Sequence, residues 1–407
     1  MPVPINGLTM ESFNRRTDFP ALAGNNLAFL DTAASAQKPR PVVDAMLAVM
    51  EGHYANIHRG LYKYSNQTTA AFEAARGKVA RFIGGRETEV VFTRNTTEGI
   101  NLVAQSWGRA HLAAGDEVIL TEMEHHANLV PWRLLADQIG IVVKYIPVKD
   151  GALDLSAIPF TEKTKFVSFT HISNALGTIN PAKDIVARVR AFNPDIKVLI
   201  DGSQSVPHMK VDMRDIGADF FVWTGHKLYG PTGIGVLWGR EDLLNAMPPY
   251  QGGGDMIETV AFDIVTYKNA PARFEAGTPA IVEAIGLGAA IDYITQIGWQ
   301  DIASHEKALS DTLYKRLAAR SDIRVLSPAK DRAGIVSFVP LQGDTADVAM
   351  ILDQCDVAVR VGHHCCQPLM GVLGVRGTVR ASLGLYSTPD DINALEEGLN
   401  KASKLLG

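Results

Sequence analysis

Phe220-Phe221-Val222-Trp223-Thr224-Gly225-His226-Lys227 runs from four large apolar residues straight into a glycine turn that ends on a lysine. A short apolar run without polar alternation suits a strand buried on both faces, as in a parallel sheet covered by helices. Six further runs read the same way: Val90-Val91-Phe92, Val118-Ile119-Leu120, Val142-Val143, Phe166-Val167-Ser168-Phe169, Val198-Leu199-Ile200 and Gly235-Val236-Leu237-Trp238. Amphipathic stretches such as Ile100 to Trp107 and Ile185 to Phe192 lie between them. The alternation predicts an α/β lobe built on a seven-stranded, mostly parallel sheet.

The pattern changes near residue 290. Ile302, Leu309, Leu313 and Leu317 recur at helical spacing, strand-like runs follow at Ile335 to Val339 and Val379 to Leu385, and the chain closes with a helical stretch near Ile392 to Leu406. This predicts a smaller C-terminal α+β lobe. A chain of 407 residues is in any case too long for one ordinary core. The expected organisation is an arm over 1–25 packing on the small lobe, a large domain over 26–290 and a small domain over 291–407.

Composition narrows the function classes. Apolar residues make up 46% and charged residues 20%, the balance of a soluble globular protein. A net charge of −5 supplies no electrostatic footprint for nucleic acid or an anionic membrane, so neither is an expected partner. No apolar stretch of signal-peptide type opens the chain, and no uncharged run reaches membrane-spanning length. The only cysteines, Cys355, Cys365 and Cys366, make no disulfide framework. A reducing, cytoplasmic compartment is expected.

Ligands of open parallel sheets bind beyond the carboxyl ends of the strands. Five of the predicted strand ends deliver polar residues there: Thr96, Thr97 and Glu98; Glu124, His125 and His126; His171 and Asn174; Asp201 and Gln204; Thr224, His226 and Lys227. Burying so many polar groups at one rim is costly without partners, which points to an active site. Thr96-Thr97 suits a helix cap and, through the free N–H groups of a helix start, a phosphate cradle. Asp201 is either a turn former or an acid that holds a ring nitrogen protonated. Adjacent His125 and His126 lack the spacing of known zinc sites, so no metal is expected.

Gly225 to Thr232 superficially resembles a nucleotide-binding P-loop, but the position that needs a lysine holds Pro231, which has neither ammonium nor N–H. Lys227 instead sits directly after a buried strand, where partial desolvation makes an amine nucleophilic toward a carbonyl. Pyridoxal phosphate needs such a lysine, an acid at its pyridine nitrogen and a phosphate cradle. Lys227, Asp201 and the Thr96-Thr97 helix start offer all three.

Asp31-Thr32-Ala33-Ala34-Ser35, Thr96-Thr97-Glu98-Gly99-Ile100-Asn101, Glu124-His125-His126-Ala127-Asn128, Asp201-Gly202-Ser203-Gln204 and Thr224 to Pro231 together resemble the class V, fold-type I aminotransferase-like proteins. Arg273 to Pro279 and Arg360-Val361-Gly362-His363-His364-Cys365 are similar to the Suf-type cysteine desulfurases within them. The resemblance implies the fold-type I architecture of pyridoxal-phosphate enzymes. It makes Lys227 the Schiff-base lysine and proton carrier, Asp201 the partner of the pyridinium nitrogen, His125 the residue stacked on the ring and Gln204 a contact of its 3-oxygen. Thr97, Thr224 and His226 would hold the phosphate, with Thr96 beside them, and Thr278 would reach in from the second subunit of a homodimer. Arg380 would grip the carboxylate of L-cysteine, assisted by Asn174 and Arg360; a planar guanidinium suits that task.

The same resemblance makes Cys365 the nucleophile that takes sulfur as a persulfide, delivers it to an acceptor protein of the Suf type and serves iron–sulfur cluster assembly. Cys365 lies near Arg360, a cationic setting of the kind reactive cysteines occupy. Cys355, on an expected helix, reads as a small buried hydrophobe. Cys366 departs from the family's usual non-thiol residue and reads as a competing thiol or as a side chain that points away, as neighbours in an extended loop do. The alternative activity is that of a selenocysteine lyase, which need not use Cys365. A non-catalytic sulfur-carrier scaffold and a zinc-binding module are rivals of other classes.

Overall fold

The computed structural model describes residues 13–407. All seven apolar runs form strands of one sheet: β1 (Val90–Thr93), β2 (Glu117–Thr121), β3 (Val142–Ile146), β4 (Thr164–Thr170), β5 (Lys197–Asp201), β6 (Phe220–Thr224) and β7 (Gly235–Gly239). Their order across the sheet is β1-β7-β6-β5-β4-β2-β3, and β7 alone runs antiparallel to both its neighbours.

The period-two geometry of a strand explains why continuous apolar runs were needed. Phe221 and Trp223 enter one core with Val90, Ile119, Val167, Ile200 and Val236; Phe220 and Val222 enter the other with Val91, Val118, Phe166, Leu199 and Leu237. Each fully buried Val, Ile, Leu or Phe contributes about 1.5–3 kcal/mol relative to exposure. On the first face, the helix Ala182–Phe192 buries Ala182, Ile185, Val186 and Val189, the stripe its sequence spacing predicts. The helix Ile281–Ile297 packs against Arg40–Gly52 and Lys63–Phe82. The stretch Ile100 to Trp107 is α-helical only to Val103 and then widens into a π turn over Ala104–Gly108.

The small lobe carries an antiparallel sheet of β8 (Ile323–Val325), β9 (Ile335–Pro340), β10 (Arg360–Gly362) and β11 (Thr378–Ser382), ordered β8-β9-β11-β10. Helix Trp299–Ala318 buries Leu309, Leu313 and Leu317 in the small-lobe core, whereas Ile302, at its start, joins a large-lobe core. Two expected boundaries shift. Ala28–Phe29 pairs in parallel with Val357–Ala358, and Ala28 and Leu30 join the small-lobe core, so the chain enters the large lobe after residue 30 rather than at 26. Helix Ile281–Ile297 crosses residue 290 without a break because its buried face is needed on the large lobe.

Residues 1–12 of the expected arm lie outside the described residues. The rest of it touches both lobes: Arg16 pairs with Asp391 at 3.2 Å, Phe13 stacks on His305, and Phe19 packs among Tyr229, Tyr293 and Tyr386. An exposed hairpin, Ile257–Val260 with Val265–Tyr267, has no counterpart among the expected strands. Among the described residues no single helix is long and apolar enough to cross a membrane.

Candidate active site

The carboxyl ends of the strands open into one cavity lined by Thr96, Thr97, His125, Asn174, Asp201, Gln204, Thr224, His226, Lys227, Arg360 and Arg380. Strand register produces the convergence: Thr170 is opposite Asp201, and Asp201 opposite Val222, so their following residues emerge side by side. β7 starts at this same end. A Cβ on Gly235 would come 2.6 Å from the Asn95 backbone, so glycine there lets the next helix start press against the sheet.

Asn95, rather than a threonine, caps that helix: its Oδ1 accepts the Glu98 N–H at 2.9 Å. Thr96 and Thr97 thereby occupy the first helical positions, where backbone N–H groups lack intrahelical partners. Thr96 Oγ1 lies 2.8 Å from Ser203 Oγ, which ties the helix start to the Asp201 turn. Ser203 also donates through N and Oγ to Asp201 Oδ1, at 2.9 and 2.6 Å, and so fixes the carboxylate. Gly202 is required between them, because a Cβ would sit 1.9 Å from the Phe221 ring.

Gln204 donates to Ala33 O at 2.7 Å and leaves its own Oε1 buried without a partner. Thr224 Oγ1 is likewise buried and unpartnered. The Gly225–Lys227 turn is a single 3-10 turn, closed by Leu228 N–H and Gly230 N–H onto Gly225 O. Burial lowers Lys227 from 10.5 to about 8; Arg380 and Arg360 add to this and Asp201 opposes it. His226 falls to about 4 through burial, with Lys227 and Lys38 contributing, so it is neutral near pH 7.

Glu124, His125 and His126 do three different jobs. Glu124 is a peg: it receives Thr121 Oγ1–H, the Thr170 N–H and the Asn128 amide, and burial pushes it up to about 8. His125 lines the cavity. Its Nδ1 accepts the Ala127 N–H at 3.0 Å, and burial, helped by Lys227, lowers it to about 3, so the neutral ring carries its proton on Nε2. His126 turns toward the small lobe, where its N–H donates to Cys365 O at 2.7 Å and its Nε2 accepts from Gln367 N–H at 3.1 Å.

The small lobe supplies the opposite wall. Arg360 and Arg380 face each other across β10 and β11. Arg380, expected to grip the substrate carboxylate, has partners within the chain: Nη1 donates to Asn174 O and Nη2 to Asp31 Oδ1, both at 2.9 Å, with Nε buried and unpartnered. Burial explains this, since a guanidinium left without acceptors there would be costly. Arg360 Nη2 lies 3.9 Å from Cys365 Sγ. Cys365 is half-buried, beside rather than among the lining residues.

The cysteine loop corrects two expectations. His364 and Cys365 have φ of +53° and +57°, so the loop makes a left-handed turn at these residues rather than running extended. Cys366 is fully buried at the start of helix Gln367–Val372, whereas Cys355 is only partly buried after its helix, so Cys366 is the small core hydrophobe. Thr278 does not reach this cavity within the chain; it lines another with Arg94, Glu98 and Glu275. Ser203, Ser35 and Asp31 are not singled out as site residues by the sequence, although all three lie in quoted motifs; their signal is adjacency to Asp201 and Ala33-Ala34.

The residues fit the cofactor expected from them. Buried, unpartnered Thr224 Oγ1, the free helix-start N–H groups and His226 suit a phosphate; Asp201, held by Ser203, suits a protonated ring nitrogen; His125 supplies a flat neutral face; Lys227 supplies the amine.

The sequence pattern of the aminotransferase class-V family matches residues 28–395. A cysteine desulfurase of Pectobacterium atrosepticum is 47% identical over 401 residues, covering 96% of this chain and 98% of that protein. Among solved structures, the S-sulfonic acid form of the cysteine desulfurase CsdA from Escherichia coli superposes with a TM-score of 0.91 at 36% identity, covering 99% of this chain and 100% of that one. The apo cysteine desulfurase of Thermococcus onnurineus NA1 gives a TM-score of 0.90 at 38% identity, covering 96% and 98%.

Proposed function

The chain belongs to the aminotransferase class-V family, and from that premise we propose a pyridoxal-phosphate-dependent cysteine desulfurase that turns L-cysteine into L-alanine and leaves the sulfur on Cys365. One observation carries the sulfur step. The Cys365 turn is pinned by the His126 N–H, and Arg360, which lines the Lys227 cavity, reaches within 3.9 Å of the Cys365 thiol.

Bound in the cavity, pyridoxal phosphate supplies an electron sink for charge developing at the substrate's α-carbon. The chain's own residues do the rest. Lys227 Nζ, lowered to about 8, is partly neutral near physiological pH and takes and returns the α-proton. Arg380, fixed by Asp31 and Asn174, provides positive charge at the carboxylate end, and Arg360 adds to it. Cys365 Sγ takes the substrate's sulfur: an S–S bond forms as the substrate's Cβ–S bond breaks, and the carbon gains a proton to leave as alanine. The enzyme then holds a persulfide, a reversible cysteine state.

The reading extends to a Suf-type enzyme serving iron–sulfur cluster assembly through a docked acceptor protein, because a short turn gives the persulfide little reach. A reducing, cytoplasmic setting would keep Cys365 a thiol between turnovers. A homodimer is supported by Thr278, which lies away from its own chain's cavity, and by the exposed hairpin, whose tip Phe262 and neighbours Val260 and Ile264 are apolar. Nothing in the site favours selenocysteine, and the relatives named above are cysteine desulfurases.

Mass spectrometry after incubation with L-cysteine tests the assignment. The expected result is one added sulfur on the peptide bearing Cys365 with alanine released. Undiminished alanine production by Cys365→Ala would overturn it.

A further inference from the structure

Cys366 has no place in the chemistry above, yet its surroundings are specific. Its Sγ donates to Asn174 Oδ1 at 3.1 Å and lies 3.6 Å from His364 O. The other end of the same amide, Asn174 Nδ2, donates to His364 O at 2.7 Å, and the backbone O of Asn174 accepts from Arg380 Nη1 at 2.9 Å. Asn174, His364 and Arg380 all line the cavity. The oxygen and nitrogen ends of a side-chain amide exchange on a flip, and here an acceptor at one end and a buried donor at the other hold it in one orientation.

We propose that Cys366 is a positioning residue: its buried thiol, as a hydrogen-bond donor, fixes the Asn174 amide so that one side chain holds both the carboxylate end of the cavity and the turn that carries Cys365. Burial keeps this thiol protonated, pushing it up to about 12, so it stays a donor across the working pH range. The same geometry opposes a resolving role, because the sulfur is fully buried and committed to Asn174 rather than turned to its neighbour. Removing the donor leaves Asn174 Oδ1 buried and unpaired, so the amide is held only through its Nδ2 bond to His364 O.

The kinetic part of the test rests on the desulfurase assignment; the spectroscopic part does not. In the holoenzyme, Cys366→Ala is expected to raise KM for L-cysteine about fivefold, the effect of one lost hydrogen bond, with a smaller fall in kcat. Cys366→Ser, which restores a donor, should recover most of the loss. In an Asn174→Ala background Cys366→Ala should add almost nothing, because the two residues act as one unit. The S–H stretching band lost in Cys366→Ala should shift in Asn174→Ala, and this can be read without substrate. Full additivity of the two substitutions, failure of serine to rescue, an unshifted S–H band, or a Cys365–Cys366 disulfide formed on turnover would each overturn the proposal. Absence of any wild-type turnover with a shifted S–H band would overturn the desulfurase assignment and leave the positioning contact standing.

Discussion

The backbone N–H of His126, from the large lobe, donates to the backbone carbonyl of Cys365, in the small lobe, at 2.7 Å. Because neither side chain makes this bond, it ties the Cys365 turn to the cavity through backbone atoms alone. The His126 ring makes the second tie, by accepting the Gln367 N–H.

That second tie requires a neutral ring, and burial together with His363 lowers His126 below its ordinary range. His126→Ala is therefore expected to slow sulfur transfer to Cys365 about fivefold, the effect of one hydrogen bond, while leaving cofactor binding intact. Single-turnover measurement of alanine release against cofactor absorbance separates the two steps. An equal loss in both would contradict a role confined to the cysteine turn.

Lys227 gives a pH signature of stability in the cofactor-free protein. Its folded value of about 8 lies below the ordinary 10.5, so between these limits the unfolded chain binds more protons. Stability must then rise with pH from about 8 to 10.5, by at most about 3 kcal/mol given that the amine faces a water-accessible cavity. Urea titrations across this window should show the rise in the wild type and a flatter profile in Lys227→Met.

Gly202→Ala places a methyl where the Phe221 ring stands, 1.9 Å away. Phe221 is fully buried among the residues of the sheet core, so its ring cannot move out into solvent. The expected cost is about 1–3 kcal/mol of overpacking. The displaced turn also carries Asp201 and Ser203, so the variant should lose cofactor on dialysis while the wild type retains it. Thermal melting and cofactor absorbance after dialysis check both halves.

Arg76 and Glu275 form a bidentate pair, at 2.7 and 2.8 Å, with side chains only 4% and 9% exposed. Glu275 Oε1 also accepts the Phe92 N–H, on the strand that leads to Thr96. Glu275→Ala leaves a buried guanidinium without its main partner and is expected to cost about 3–5 kcal/mol. The double variant Arg76→Met/Glu275→Leu should recover much of that loss, as a urea midpoint would show.

The inner strands were legible from sequence because they are buried on both faces, so side-chain alternation could not interrupt the apolar run; Phe220 to Trp223 shows this most plainly, whereas the partly exposed edge strand Val142–Ile146 showed only its two valines. Polar residues just past those runs were legible as a site for the same reason. The exposed hairpin around Phe262 and the pairing of Ala28–Phe29 carried no such signal, since the hairpin is exposed and a two-residue strand is too short to show a pattern.

Sequence alone determined that Lys227, Asp201 and the Thr96-Thr97 helix start would meet, because strand polarity puts all three at one rim. Tertiary structure alone decided what stands across from them. It divided Glu124, His125 and His126 among three tasks, engaged Arg380 with Asp31 and Asn174, and assigned burial to Cys366 rather than Cys355. These outcomes depend on contacts between lobes whose residues lie up to several hundred positions apart, and local spacing does not encode such distances.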